Sequence, residues 1–127
     1  MENLILLDTN IIIELLKGNE KTKALLNNIN SNFSVSVITQ MELYYGAFNK
    51  KELIKIKKFL SEFNIFHIDE EISKKAIELI EKYSKSHNLN IPDALIASTA
   101  ICKKAILLTY NLKDFQYIEN LKIFKEV

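Results

Sequence analysis

The sequence predicts an α/β sandwich with a central, mainly parallel sheet of four or five strands flanked by helices. Three observations carry that expectation. Short apolar runs alternate with longer segments of helical periodicity, the pattern of strand-helix units with right-handed crossovers. The 127 residues are 48% apolar, enough for one cooperative core and too few for two ordinary domains, so 1–127 reads as a single domain. Two Gly and one Pro leave no linker, repeat or low-complexity tract.

Each element follows from local pattern. Leu4 to Leu7 is a continuous apolar run suited to a buried strand, and Asp8-Thr9-Asn10 can cap a helix running to Lys17, where Gly18 stops it. A second helix is expected over Glu20 to Ile29. Phe33-Ser34-Val35-Ser36-Val37 alternates like a half-buried strand, and Thr39 to Phe48 turns helical. From Lys51 to Phe63, Leu53, Ile56, Leu60 and Phe63 recur on one helical face with Lys opposite. Ile65 to Ile68 is a brief strand; Ile72, Ala76, Ile77, Ile80 and Tyr83 mark a long helix to His87. Pro92 suits the first position of a helix continuing through Ala94, Ala97 and Ile101. Ile106-Leu107-Leu108 gives the next strand, and Leu121 to Phe124 a last one at the edge.

Composition excludes several function classes. No apolar run approaches the roughly 20 residues that span a bilayer. The N-terminus has Glu2 in place of a basic stretch, and no small-residue cleavage site follows, so a cytoplasmic location is expected. Cys102, the single cysteine, rules out an internal disulfide and a cysteine-based zinc site and reads as a buried, inert thiol. Formal net charge is +1 and all 17 basic residues are Lys. Phosphate contacts would therefore come from flexible point charges or backbone N–H groups, and planar Arg readout of bases is absent.

Acidic residues carry the chemistry. Of four Asp, three (Asp8, Asp93 and Asp114) fall at strand-helix junctions or in the loop after a strand, and Glu42 lies one turn into the helix after the second strand. In parallel α/β sheets, ligands gather beyond the carboxyl ends of the strands. Carboxylates crowded there repel one another and stay ionised only beside a cation. Oxygen-only donors select magnesium or manganese, and the implied reaction is metal-assisted phosphoester hydrolysis. Each acid also has a structural reading. Asp8 could be only a cap, Glu42 completes a Thr39-x-x-Glu42 capping box, and Asp93 suits the first turn of a helix.

Four motifs in order lift the group above those readings. Leu6-Leu7-Asp8-Thr9-Asn10, Met41-Glu42-Leu43-Tyr44-Tyr45-Gly46, Ile91-Pro92-Asp93-Ala94-Leu95-Ile96-Ala97 and Leu108-Thr109-Tyr110-Asn111-Leu112-Lys113-Asp114-Phe115 together resemble the PIN-domain family. The resemblance is strongest to the VapC toxins of toxin-antitoxin systems. It implies a PIN fold, magnesium-dependent endoribonuclease activity on RNA, homodimerisation, and inhibition by a VapB-type antitoxin. It carries Asp8, Glu42 and Asp93 over as metal ligands and catalytic residues. The family commonly places a fourth carboxylate two residues after the Thr that ends the last strand; here that position is Asn111, with Asp114 three residues on. Asn10 and Thr109 are candidates to orient the carboxylates or a water.

The remaining polar residues read more plainly. Lys50, Lys51, Lys55 and Lys58 form a stripe that could guide RNA, although a solvated face is the simpler reading. His67 and His87 lack the partner spacing of a zinc site or a triad and are assigned to structure. Tyr44 and Tyr45 suit either a base or a protein interface. Two alternatives to a nuclease stand beside this one. The acidic pocket could only bind metal or dock a basic peptide. An aspartyl-phosphate phosphatase would need an acid at Asn10, which cannot donate a proton as one.

Overall fold

The computed structural model describes residues 3–125. Its elements run β1 (Leu4–Leu7), α1 (Thr9–Leu16), α2 (Glu20–Asn27), β2 (Asn32–Ser36), α3 (Val37–Tyr45), α4 (Lys50–Leu60), β3 (Asn64–Phe66), α5 (Glu70–His87), α6 (Ile91–Cys102) and β4 (Ile106–Leu108), followed by a 3-10 turn at Leu112–Asp114. The strands form one sheet in the order β3-β2-β1-β4, parallel at every pairing. Ile5 pairs with Phe33 on one side and Ile106 on the other, so β1 lies inside the sheet.

Alternation along β1 builds the two cores. Leu6 points into a cluster with Ala76, Leu79, Tyr83, Ile96, Ala97 and Phe115 from α5, α6 and the C-terminal loop. Ile5 and Leu7 point the other way, into Ile11, Ile12, Leu43, Ile56 and Leu60 from α1, α3 and α4. A strand with helices on both faces has no solvent-facing side, which is why Leu4 to Leu7 shows no polar alternation.

Several expected boundaries shift for identifiable reasons. β2 does not alternate between core and solvent: Ser34, Val35 and Ser36 are all buried. The serines are tolerated because Ser34 Oγ donates to the Ile5 carbonyl at 3.1 Å and Ser36 Oγ accepts the Ile38 N–H at 3.0 Å. That second bond caps α3 and ends the strand before Val37, overriding the β preference of Val37 and Ile38. The segment Leu121 to Phe124 forms no strand. Its backbone bonds meet β4 only at Leu107, which donates to Lys122 and accepts from Phe124, both at 2.8 Å. β4 is three residues long, and Asn120 (φ 67°) turns the chain just before the pairing, so one bridge is all that fits.

Smaller differences have similar causes. Asn90 caps α6 and Pro92 takes its second position, where no N–H is needed either. On α5 the buried face is Ile72, Ala76, Leu79 and Tyr83, and Ile77 is exposed. Cys102, expected to be buried, is half-buried at the end of α6, and burial pushes its thiol pKa up. Gly18, at φ +78°, ends α1 as expected in a left-handed conformation that residues with a Cβ adopt only with strain. Among the described residues, no helix is long and apolar enough to cross a membrane.

Candidate active site

Because every strand is parallel, the ends of β1, β2 and β4 open on one side, and the sequence places an acid after each. Asp8 follows β1 directly and is only 5% exposed. It does cap α1, through the Thr9 N–H to its Oδ1 at 2.8 Å. Its second oxygen is held separately, by the Thr109 hydroxyl donating to Oδ2 at 2.7 Å from the end of β4. That second bond satisfies a buried carboxylate oxygen and ties the end of β4 to the end of β1.

Glu42 is not part of a capping box. Ser36 caps α3, and Glu42 instead accepts the Thr9 hydroxyl at 2.7 Å from the start of α1. Thr9 Oγ1 also lies 2.8 Å from Thr39 Oγ1. Since the single Thr9 proton goes to Glu42, Thr39 donates to Thr9, and the hydroxyls form a relay from buried Thr39 to exposed Glu42. Thr9 and Thr39 are the site residues that sequence reasoning missed. Thr9 sits beside Asp8 in the first motif, but nothing in a linear pattern shows a bond across 33 positions.

Asn10, Thr109 and Asn111 lock β4 to α1. Asn10 Oδ1 accepts the Tyr110 N–H at 3.3 Å, and its Nδ2 lies 3.4 Å from Thr109 Oγ1. Asn111 contributes its backbone N–H to that same hydroxyl oxygen at 3.0 Å. With its amide committed to this lock, Asn10 does not act as an acid, so the phosphatase reading finds no support. Asp114, in the 3-10 turn, is exposed.

Asp93 opens α6, where its N–H is capped by Asn90 Oδ1 at 2.9 Å. Its carboxyl is pushed up to about 6, first by burial, then by the charges of Asp8, Asp114 and Glu42, with a hydrogen bond from Asn90 opposing. The Asp8 carboxyl is also raised. Burial dominates against the bonds from Thr109 and Thr9, and Glu42 and Asp114 add repulsion. Asp8 and Asp93 therefore each feel the charges of Glu42 and Asp114. Even so, among the described residues no group of three or more His, Cys, Asp or Glu side chains is arranged to hold a metal ion as it stands. The donor set still suits a hard cation, because magnesium keeps several of its waters and needs only one or two direct carboxylates.

A groove of about 1090 Å³ leads away from Thr9 and Glu42 between α1, α3 and α4. Ile13, Leu16, Leu43 and Ile56 contribute apolar lining, with Lys17, Lys51, Lys55 and Lys58 among the polar residues along it.

The PIN-domain pattern matches residues 5–121, nearly the whole chain. This chain belongs to the PIN-domain family. Among PIN-domain relatives, Ribonuclease VapC1 of Haemophilus influenzae is 34% identical, with 92% of this chain and 93% of that protein covered. Ribonuclease VapC10 of Mycobacterium tuberculosis is 29% identical over 94% and 91% respectively. Among solved structures, VapBC2 from Rickettsia felis bound to a DNA fragment from its promoter superposes with a TM-score of 0.83 at 29% identity, covering 95% of this chain and 97% of that one. A toxin-antitoxin complex from Klebsiella pneumoniae gives 0.80 at 32%, covering 97% and 99%. The PIN fold of this chain, a four-stranded parallel sheet between helices, is the architecture expected from its sequence.

Proposed function

We propose that this PIN domain is a magnesium-dependent endoribonuclease, the toxin of a toxin-antitoxin pair. One observation carries the reading: four carboxylates from separate segments meet electrostatically where three parallel strands end, in a chain whose relatives are named ribonucleases. Asp8 and Asp93 would hold the ion, with Glu42 and Asp114 adding negative charge. Manganese would serve in its place. Asp114 is preferred over Asn111 for the fourth position because its charge raises both Asp8 and Asp93, whereas Asn111 bonds Thr109 through its backbone N–H and brings no charge.

When bound, a divalent cation would supply charge neutralisation at the phosphodiester and an activated water. The chain's own residues set the stage. Thr109 and the Thr9 N–H fix both Asp8 oxygens, and Thr9 aims Glu42, so neither carboxylate has to be ordered when substrate arrives. Burial first, and repulsion among the acids second, disfavour the ionised carboxyls of Asp8 and Asp93, and a bound cation would offset both.

The partner reading rests on the neighbours described as VapBC complexes and on the groove beside Glu42. An apolar-lined channel opening at the site suits an antitoxin segment laid across it. Tyr45, 95% exposed, and Phe48, 87% exposed, offer further apolar surface at the end of α3 for the homodimer that the family resemblance implies. The test is incubation of unstructured RNA with the purified protein in magnesium, then in excess chelator. Cleavage that stops on chelation supports the reading; cleavage indifferent to chelation removes the metal from it.

A further inference from the structure

At the corner joining α5 to α6, the corner that leads into Asp93, three aromatic rings stack on one another. His87, the last residue of α5, lies face to face with Tyr117, their rings 4.1 Å apart and 10° from parallel. Tyr83 meets both rings edge-on, at 5.7 Å from His87 and 5.1 Å from Tyr117. Tyr83 is buried and its hydroxyl accepts the Glu119 N–H at 3.1 Å, while Lys82 pairs with Glu119 at 3.0 Å. These bonds pin the C-terminal loop to α5, and they account for Tyr83 and Tyr117 as structure. They do not account for His87, which is exposed.

The stack's position gives it meaning. Asn88, in a left-handed conformation at φ 56°, reverses the chain, so that α6 begins at Ile91 with Asp93 in its first turn. Tyr117 follows Asp114 by three residues. Burial first, and then the charges of Asp93 and Asp114, push its hydroxyl up. The His87 ring is oriented from its own helix as well, with Nδ1 2.7 Å from Ser86 Oγ. An aromatic ring held rigid and partly in solvent beside a phosphodiester-cleaving centre is the arrangement on which unpaired bases stack.

We propose that His87, supported by Tyr117, is a stacking platform for an unpaired RNA base flanking the scissile phosphodiester. The inference rests on the ribonuclease reading and deepens it, because it makes the substrate single-stranded or looped at that position. A base inside a duplex could not reach the ring.

The experiment uses RNA oligonucleotides with 2-aminopurine stepped through successive positions, bound to the full chain carrying Asp8→Asn to suppress cleavage. Stacking on His87 quenches the probe at one position. His87→Ala abolishes that quench and weakens binding about tenfold, the scale of one lost base-aromatic stack. His87→Phe keeps both. In the otherwise native chain, His87→Ala raises KM and leaves kcat within about twofold. A quench pattern and KM unchanged in His87→Ala would overturn the platform, as would equal losses in His87→Ala and His87→Phe accompanied by a matching fall in melting temperature. Failure of the native chain to cleave any RNA would strike the ribonuclease reading instead, and the binding arm would still report on the ring.

Discussion

Asp93 is the residue whose environment makes the sharpest demand. Its pKa of about 6 in the fold stands against an ordinary 3.8, so the folded state holds its proton more tightly than the unfolded chain. The associated stability is fully present below the unfolded pKa and is lost as pH rises through about 6. Two pH units would correspond to about 3 kcal/mol, and solvent at this half-buried group screens that to about 1–2 kcal/mol. In chelator, Asp93→Asn will therefore melt higher than the native chain at pH 7.5, with the advantage shrinking toward pH 4. Thermal melts at both values check it, and an advantage that does not depend on pH contradicts the assignment. Thr9 makes a different demand. Thr9→Val removes the donor to Glu42 and the acceptor for the buried Thr39 hydroxyl, so activity falls about 10–100-fold while stability falls by about 1–3 kcal/mol. At the fourth position, Asp114→Asn weakens manganese affinity more than Asn111→Ala by calorimetric titration, because only the former removes charge. The reverse order would return the position to Asn111.

Helix α3 shows how an element delivers a functional group. Its start is set by Ser36, its buried side by Thr39 and Leu43, and Glu42 is thereby carried to the site. Ser36→Ala removes the cap at a cost of about 1 kcal/mol and loosens the helix that aims Glu42; denaturant titration measures the first effect and cleavage rate the second. In sequence this element was legible as a helix and illegible at its start. Thr39-x-x-Glu42 imitates a capping box, and only tertiary contact reveals that Thr39 and Glu42 both turn toward Thr9. The same limit hid the burial of Ser34 and Ser36, since a serine satisfied by a neighbouring backbone looks, in a linear pattern, like one facing water. Leu4 to Leu7 was legible because a doubly covered strand leaves a continuous apolar signature. Leu121 to Phe124 misled because apolar spacing does not reveal that β4 is too short to pair with a full strand.

For the whole molecule, the parallel sheet turns a sequence order into a site. Acids placed after β1, β2 and β4 must share one edge, so Asp8 and Glu42 could be grouped from the chain alone, and so could the loop bearing Asp114. Asp93 joins them because it opens α6, the helix that leads into β4 and so starts at that same edge. The overall charge bears on substrate binding: net +1 with Lys as every basic residue gives a weakly attractive surface. RNA binding by an inactive variant will weaken with salt along a shallow slope, and a slope equivalent to about six or more phosphates would mean a basic surface stronger than this composition supplies. The central claim is that Asp8 belongs to a metal-dependent nuclease site as well as capping α1. Its most direct test is cleavage of unstructured RNA in magnesium by the native chain and by folded Asp8→Asn. Asn caps a helix about as well as Asp, so a cap alone predicts undiminished cleavage, whereas this account predicts a folded variant whose cleavage falls to background.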